Sequence, residues 1–115
     1  MSLTLGMITT DSVDPLPLAH WWADRLGGQI IQENDGWFVI VSTPIGILAF
    51  QKIDDPTPGK NRIHLDLGTD TDLETTVWAF LDAGASLVGE RNEQGFRWFT
   101  LADPQGNQFC IAQQG

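Results

Sequence analysis

A histidine, an aspartate and a cysteine late in the chain have the chemistry of a binding or catalytic site. His64 and Asp66 lie two residues apart, so both point to one face if the segment is a β-strand. A carboxylate beside an imidazole orients the ring for ligand binding or general-base catalysis. The alternative is an ordinary polar strand pair completed by Arg62. Cys110, the single cysteine, is either a reactive thiol near Arg62 and His64 or a packed apolar side chain.

Large aromatic side chains are a second set of candidates, because the chain has five tryptophans and no tyrosine. Trp22 and Trp78 fall on predicted helices, where we expect them to pack against the sheets. Trp37 and Trp98 fall on predicted strands, and alternation does not decide which indole reaches a cleft. An indole beside Asp66 would suit a flat cationic ligand.

The same order of elements occurs twice along the chain, about 57 residues apart, first from near Met7 and then from near His64. Each copy has a short apolar strand, an Asp-started helix that ends at glycine, and three further strands. Each copy is therefore predicted to be a β-α-β-β-β module. We expect an α+β fold in which two tandem modules form a curved mixed sheet, with a shared cleft and with the helices outside.

The whole chain, residues 1–115, has the length of one domain. Module one is predicted at about 3–53, a polar linker with two prolines at 54–60, and module two at about 61–113. The predicted strands are 3–10, 29–33, 37–42 and 47–51 in module one and 63–68, 87–91, 96–101 and 108–112 in module two, with helices over 14–27 and 71–84.

Alternation along two strands of module two predicts which side chains face the cleft, because every second residue shares a face. The residues expected under the helix are Ile63, Leu65, Leu67, Phe109 and Ile111, and those expected to face the cleft are Arg62, His64, Asp66, Gln108, Cys110 and Ala112. By the repeat spacing, Met7 is the counterpart of His64, and Phe50 is the counterpart of Cys110.

The charge of the chain limits its partners. A formal net charge of −9 with six lysines and arginines excludes nucleic acid as an expected partner, because binding to phosphates needs clustered cations. A neutral or cationic small molecule fits better. No apolar run approaches the length of a membrane span, so no membrane is expected. The single cysteine and a start without signal-peptide features predict a cytoplasmic protein.

Four motifs follow one another along the chain: Arg25-Leu26-Gly27, Lys60-Asn61-Arg62-Ile63-His64-Leu65-Asp66-Leu67, Asp103-Pro104-Gln105-Gly106-Asn107 and, overlapping it, Gly106-Asn107-Gln108-Phe109-Cys110. In this order they resemble the vicinal oxygen chelate superfamily, which includes glyoxalase I, bleomycin-resistance proteins and extradiol dioxygenases. The resemblance covers essentially the whole chain and is strongest for the glyoxalase-like subgroup.

Metal-dependent members of that superfamily hold a divalent ion with His or Gln and Glu side chains from both modules. The resemblance implies that these positions fall at Met7, Phe50, His64 and Cys110, of which His64 alone is an ordinary ligand. A one-residue slip would bring in Gln51, but the match between the two proline-containing turns favours Phe50. We therefore expect no cofactor and no catalytic divalent metal. A divalent ion, or a soft ion such as Cu(I), is the alternative.

Two functions follow from the residues and the resemblance. The first is capture of a small organic molecule, aromatic or cationic, as in the bleomycin-resistance branch. The alternative is a lyase or isomerase of the glyoxalase type that uses His64 with a carboxylate or an unusual metal. A homodimer is expected. The catalytic candidates are His64, Asp66 and Cys110, and the expected ligand-binding residues are His64, Arg62, Asp66, Met7, Phe50, Cys110, Trp37 and Trp98.

Overall fold

The computed structural model describes residues 5–59 and 61–114. The chain divides into two compact units, Met1–Pro56 and Thr57–Gly115. The division falls within the segment predicted to be the linker. Below, the first unit is called module one and the second is called module two.

Module one has one helix and one four-stranded mixed sheet. Its elements are β1 (Ile8–Ser12), α1 (Pro15–Leu26), β2 (Gln29–Gln32), β3 (Phe38–Thr43) and β4 (Gly46–Lys52). The strand order is β1-β4-β3-β2, with β1 parallel to β4 and the other pairs antiparallel. Pro15 starts α1, where a missing N–H costs nothing, and Gly27 ends it with a left-handed φ of 68°. Trp22 is buried, as predicted.

Module two repeats this topology. Its elements are β5 (Asp66–Thr69), α2 (Leu73–Asp82), β6 (Ser86–Glu93), β7 (Phe96–Ala102) and β8 (Gln108–Gln113). The strand order is β5-β8-β7-β6, and β5 is parallel to β8. The predicted α+β fold of two β-α-β-β-β modules is therefore confirmed. Both sheets have the same strand order, which agrees with the repeat of the sequence pattern.

One face of the second sheet forms an apolar core with α2. Phe99 is paired with Ile111, and Leu101 is paired with Phe109, so these four side chains share a face. All four are buried. The ring of Phe80 on α2 lies 5.5 Å from the ring of Phe109, which places the helix over this face. Alternation had predicted the positions of Phe109 and Ile111 correctly.

The first strand of module two is shorter than predicted. It begins at Asp66, and Ile63 is 79% exposed instead of lying under the helix. The physical reason is that a side chain replaces part of the strand pairing. The Asn61 side chain accepts a hydrogen bond from the Gln108 N–H at 2.7 Å and donates one to the Gln108 carbonyl at 3.2 Å. Backbone pairing resumes where the Cys110 N–H donates to the Leu65 carbonyl at 2.9 Å.

Phe50 was expected to face the cleft as the counterpart of Cys110, and this expectation is wrong. Its side chain lies on the buried face of its sheet, under the helix. It is 2% exposed and lies directly opposite the buried Val39. This pair has the same place in its sheet as the pair of Phe99 and Ile111 in module two. The structural counterpart of Phe50 is therefore Ile111.

The counterpart of Cys110 in module one is Ala49. Ala49 pairs with Thr9 across parallel strands, as Cys110 pairs with Asp66. The repeat spacing failed because the turns differ in length. Thr43 pairs with Gly46 around the first turn, whereas Ala102 pairs with Gln108 around the second. Aligning the prolines of the two turns therefore shifts β4 by one residue.

Removal of the Asp72 carboxylate at the start of α2 is expected to destabilise the protein in a pH-dependent way. Its Oδ2 accepts a hydrogen bond from the Thr75 N–H at 2.9 Å, and this bond lowers the pKa of Asp72 below its ordinary 3.8. A lowered pKa gives stability that is complete above the ordinary value and lost as pH falls through the folded value. Asp72→Ala should lower the Tm by about 4 °C at neutral pH and by less in strong acid.

The matched control for this thermal-melting measurement is Asp82→Ala. Asp82 is the last residue of the same helix, where a carboxylate opposes the helix dipole. Its replacement should leave the Tm unchanged or raise it. Equal losses for Asp72→Ala and Asp82→Ala at neutral pH would contradict the capping role.

Candidate functional site

A cavity of about 690 Å³ lies against the second sheet, on the face opposite the apolar core. Its lining residues all belong to module two: His64 lies just before β5, and the others come from the four strands. Gln108, Cys110 and Ala112 line it, because alternate residues of β8 point away from α2 as predicted. The cavity has one polar side and one aromatic side.

A row of residues with matched register crosses the floor of the cavity. Asp66 pairs with Cys110, Cys110 with Thr100, and Thr100 with Gly89, so the row touches all four strands. With neighbouring strands ~4.8 Å apart, the row spans ~14 Å from β5 to β6. The Thr100 hydroxyl lies 3.4 Å from the Cys110 sulfur. This row is the polar part of the cavity floor.

The adjacent row on the same face contributes three residues to the lining of the cavity, Ala112, Trp98 and Arg91. It consists of Gly68, Ala112, Trp98 and Arg91, again in matched register. Ala112 has a small side chain, whereas the neighbouring Trp98 is large, and Gly68 lies outside the lining of the cavity, next to the Gln114 side chain. The wide aromatic surface of Trp98 therefore lies beside the small side chain of Ala112 on the cavity floor.

His64 stands at the β5 end of the polar row. Its Nε2 lies 3.1 Å from Asp66 Oδ1, and its side chain is about one-third exposed. His64, Asp66 and Cys110 each offer one donor atom, and the three atoms lie within 4.8 Å of one another. An imidazole held by a carboxylate can orient a ligand or accept a proton from it. The structure thus brings together the three residues that the sequence singled out.

Asn61 positions this histidine, and sequence reasoning did not find its role. Its two hydrogen bonds to Gln108 join the segment before β5 to β8. Asn61 also donates to the Ile63 carbonyl, one residue before His64. The signal available in the sequence was an amide side chain three residues before His64, within the same motif.

Trp98 is the indole that reaches the cavity, which alternation had left open. It lies on β7 with its ring 5.7 Å from that of Phe96, and both line the cavity. Trp37 is 57% exposed in module one and lies beside Phe38. Trp78 is 66% exposed on α2, so the expectation that it packs against the sheet is wrong.

The arginine in the cavity is not the one that the sequence suggested. Arg62, expected to face the cleft, is exposed and lies outside the lining of the cavity. Arg91, which was not singled out, lines the cavity. The signal for Arg91 was the β6–β7 hairpin, whose register places it directly opposite Trp98. In module one, Met7 is partly exposed just before β1.

The model of the glyoxalase-like domain family matches residues 7–112. The chain belongs to this family. The match confirms the resemblance to the vicinal oxygen chelate superfamily on which the sequence interpretation depended. No curated protein matches this glyoxalase-like domain. Within the described residues, no helix is long and apolar enough to cross a membrane.

Solved structures share the fold of this glyoxalase-like domain at low sequence identity. A glyoxalase/bleomycin resistance protein/dioxygenase family enzyme from Burkholderia phytofirmans PsJN is 19% identical with a TM-score of 0.79, covering 94% of this chain and 96% of that one. A superfamily member from Sphaerobacter thermophilus is 20% identical with a TM-score of 0.72, covering 98% of both chains. Lactoylglutathione lyase from Agrobacterium tumefaciens is 12% identical with a TM-score of 0.72, covering 98% and 95%.

The side chains of this glyoxalase-like domain do not fit the usual divalent metal site of the superfamily. That site needs two glutamates, and the corresponding strand positions hold Cys110 in β8 and Ala49 in β4, with the buried Phe50 next to it. Met7 takes the place of the histidine or glutamine in module one. His64, Asp66 and Cys110 are instead a set of one nitrogen, one oxygen and one sulfur donor, which suits a thiophilic ion better than a hard one.

Proposed function

We propose that this glyoxalase-like domain binds a small planar organic molecule in the cavity of module two, without a conventional catalytic divalent metal. The observation that carries the proposal is that Trp98 and the His64–Asp66 pair line the same cavity. Its volume of about 690 Å³ lies within the range of small-molecule sites. Such sites combine apolar walls with a few polar groups, as this cavity does.

The donor set supports the metal-free part of the proposal. The strand positions of the two usual glutamates hold an alanine and a cysteine. Neither position therefore has the carboxylate that moves a proton in glyoxalase-type catalysis. Asp66 is on a different strand from those positions and is already paired with His64.

His64→Ala tests the binding function. A panel of planar aromatic compounds titrated by calorimetry is expected to yield at least one ligand with one site per chain. His64→Ala should weaken that ligand about tenfold, because it removes a hydrogen-bonding group from the cavity. His20→Ala is the matched control, since His20 is exposed on α1 of module one. A panel without a single ligand would contradict the proposal.

Native mass spectrometry of the purified protein tests the rest of the proposal in one measurement. We expect the mass of a homodimer without bound metal. Stoichiometric zinc, nickel, manganese or iron would contradict the metal-free part while leaving the binding experiment intact.

A lyase or isomerase of the glyoxalase type is the second candidate function. The 3.1 Å contact between His64 and Asp66 favours it, because this arrangement suits a general base. His64 would take a proton from the carbon next to a substrate carbonyl. Proton NMR in D₂O would detect the exchange, and His64→Ala and Asp66→Asn should each abolish it. An unusual metal held by His64, Asp66 and Cys110 would be lost in Cys110→Ser.

A further inference from the structure

Arg91 is the source of positive charge in the cavity. Within the described part of the chain, no other arginine or lysine lines it. Arg91 lies directly opposite Trp98 in the β6–β7 register, so the two side chains rise from neighbouring strands on one face. A ring that packs on Trp98 therefore has its substituents within reach of the guanidinium.

The guanidinium of Arg91 is not used by the fold, in contrast to that of Arg97. Arg97 points to the opposite face and binds Glu90 at 2.5 Å and Glu74 at 3.4 Å. The hydrogen bond to Glu74, and next the one to Glu90, raise the pKa of Arg97. Among the described residues, no carboxylate lies within ion-pair distance of Arg91, whose Nη1 has one long contact of 3.4 Å to the Glu90 carbonyl.

Gly89 allows the guanidinium to lie over the polar row. A Cβ atom at Gly89 would overlap Arg91 Nη1 and would lie 3.2 Å from its Cζ. The Arg91 side chain therefore extends back along β6, away from Glu93, the acidic residue two positions ahead on the same face. Gly89 pairs with Thr100, so the cation lies at the β6 end of the polar row, next to Thr100.

We infer that the ligand is a planar aromatic carboxylate whose anionic group binds Arg91 while its ring packs on Trp98. The inference rests on the proposed binding function and names the class of ligand. The planar fork of an arginine matches a carboxylate with two parallel hydrogen bonds. The cationic ligand expected from the sequence depended on Asp66, but that carboxylate is paired with His64.

Three probes with one ring system and different charge test this inference by calorimetry. They are 2-naphthoate, 2-naphthamide and 2-naphthamidine, which are anionic, neutral and cationic. We expect 2-naphthoate to bind about tenfold or more tightly than 2-naphthamide, because a charged hydrogen-bonded pair forms with the anion alone. Arg91→Gln should abolish this preference. Gly89→Ala should reduce it with every charge retained, because the added methyl group displaces the guanidinium.

Arg97→Gln is the matched control, since it makes the same change of charge on the other face of the same sheet and should preserve the preference. Circular dichroism checks that each variant is folded, and Gly89→Ala decides if Arg91→Gln does not fold. Equal affinity for the three probes, or tightest binding of 2-naphthamidine, overturns the inference but leaves the binding function standing. Failure of all three probes while other planar compounds bind also overturns it. Failure of every planar compound contradicts the binding function itself.

Discussion

Replacing Trp98 with alanine is expected to weaken binding of a planar ligand by about thirtyfold or more. Central aromatic side chains of a binding site commonly contribute about 2 kcal/mol or more on truncation, and 1.4 kcal/mol is a factor of ten. Trp98 is the largest side chain on the cavity floor, and its neighbours in the row, Ala112 and Arg91, have no aromatic ring to replace its surface. Calorimetric titration of the wild type and the variant measures the effect.

Two other tryptophans provide the controls for this prediction. Trp37 and Trp78 are both more than half exposed and lie outside the lining of the cavity. Trp37→Ala and Trp78→Ala should therefore leave the affinity unchanged, although each removes the same side chain. Trp98→Phe should retain part of the affinity, since it keeps a flat ring. Wild-type affinity in a folded Trp98→Ala protein would show that the ligand binds elsewhere.

Replacing Phe109 with alanine is expected to lower the free energy of unfolding by about 3–5 kcal/mol, the usual cost of removing a fully buried phenylalanine. Phe109 is 1% exposed, lies opposite Leu101 and contacts the ring of Phe80. Its removal leaves a void between α2 and the sheet that carries the cavity. Urea denaturation followed by circular dichroism gives the change.

Phe96→Ala is the control, because Phe96 is 58% exposed at the start of the neighbouring strand. Its replacement should cost about 0.5 kcal/mol or less. If Phe109→Ala does not fold, Phe109→Leu should still unfold more readily than the wild type, by about 1 kcal/mol. An equal cost for Phe96→Ala and Phe109→Leu would contradict the assignment of the two faces of the sheet.

The sequence was sufficient to predict those helices and strands for which two different features, such as periodicity and a terminating residue, agreed. The α1 helix had an apolar periodicity together with Pro15 at its start and Gly27 at its end, and the structure has it at Pro15–Leu26. In β8, large apolar residues alternate with small or polar ones, so one face could be assigned to the helix and the other to the cavity. The repeat itself was visible because both modules keep the same strand order.

The sequence interpretation failed where strand alternation or repeat spacing was interrupted by a particular side chain or by a difference in turn length. Alternation around Ile63 suggested a strand, but Asn61 makes the bonds to Gln108 that a backbone would otherwise make. The spacing that led to Phe50 ignored the different lengths of the two proline-containing turns. Arg91 was missed because its place depends on the register of a hairpin and on the missing side chain of Gly89.

Because the two sheets have matching register, module one offers a second set of backbone positions for protein engineering. The pair of Thr9 and Ala49 has the backbone position that Asp66 and Cys110 have in module two. Strand pairing already sets the separation of Thr9 and Ala49, but Ala49 is 0% exposed, so a larger donor side chain there first needs space in the packing around it. Module one is therefore a second scaffold with the strand register of module two, and space around Ala49 is what a new site in it requires.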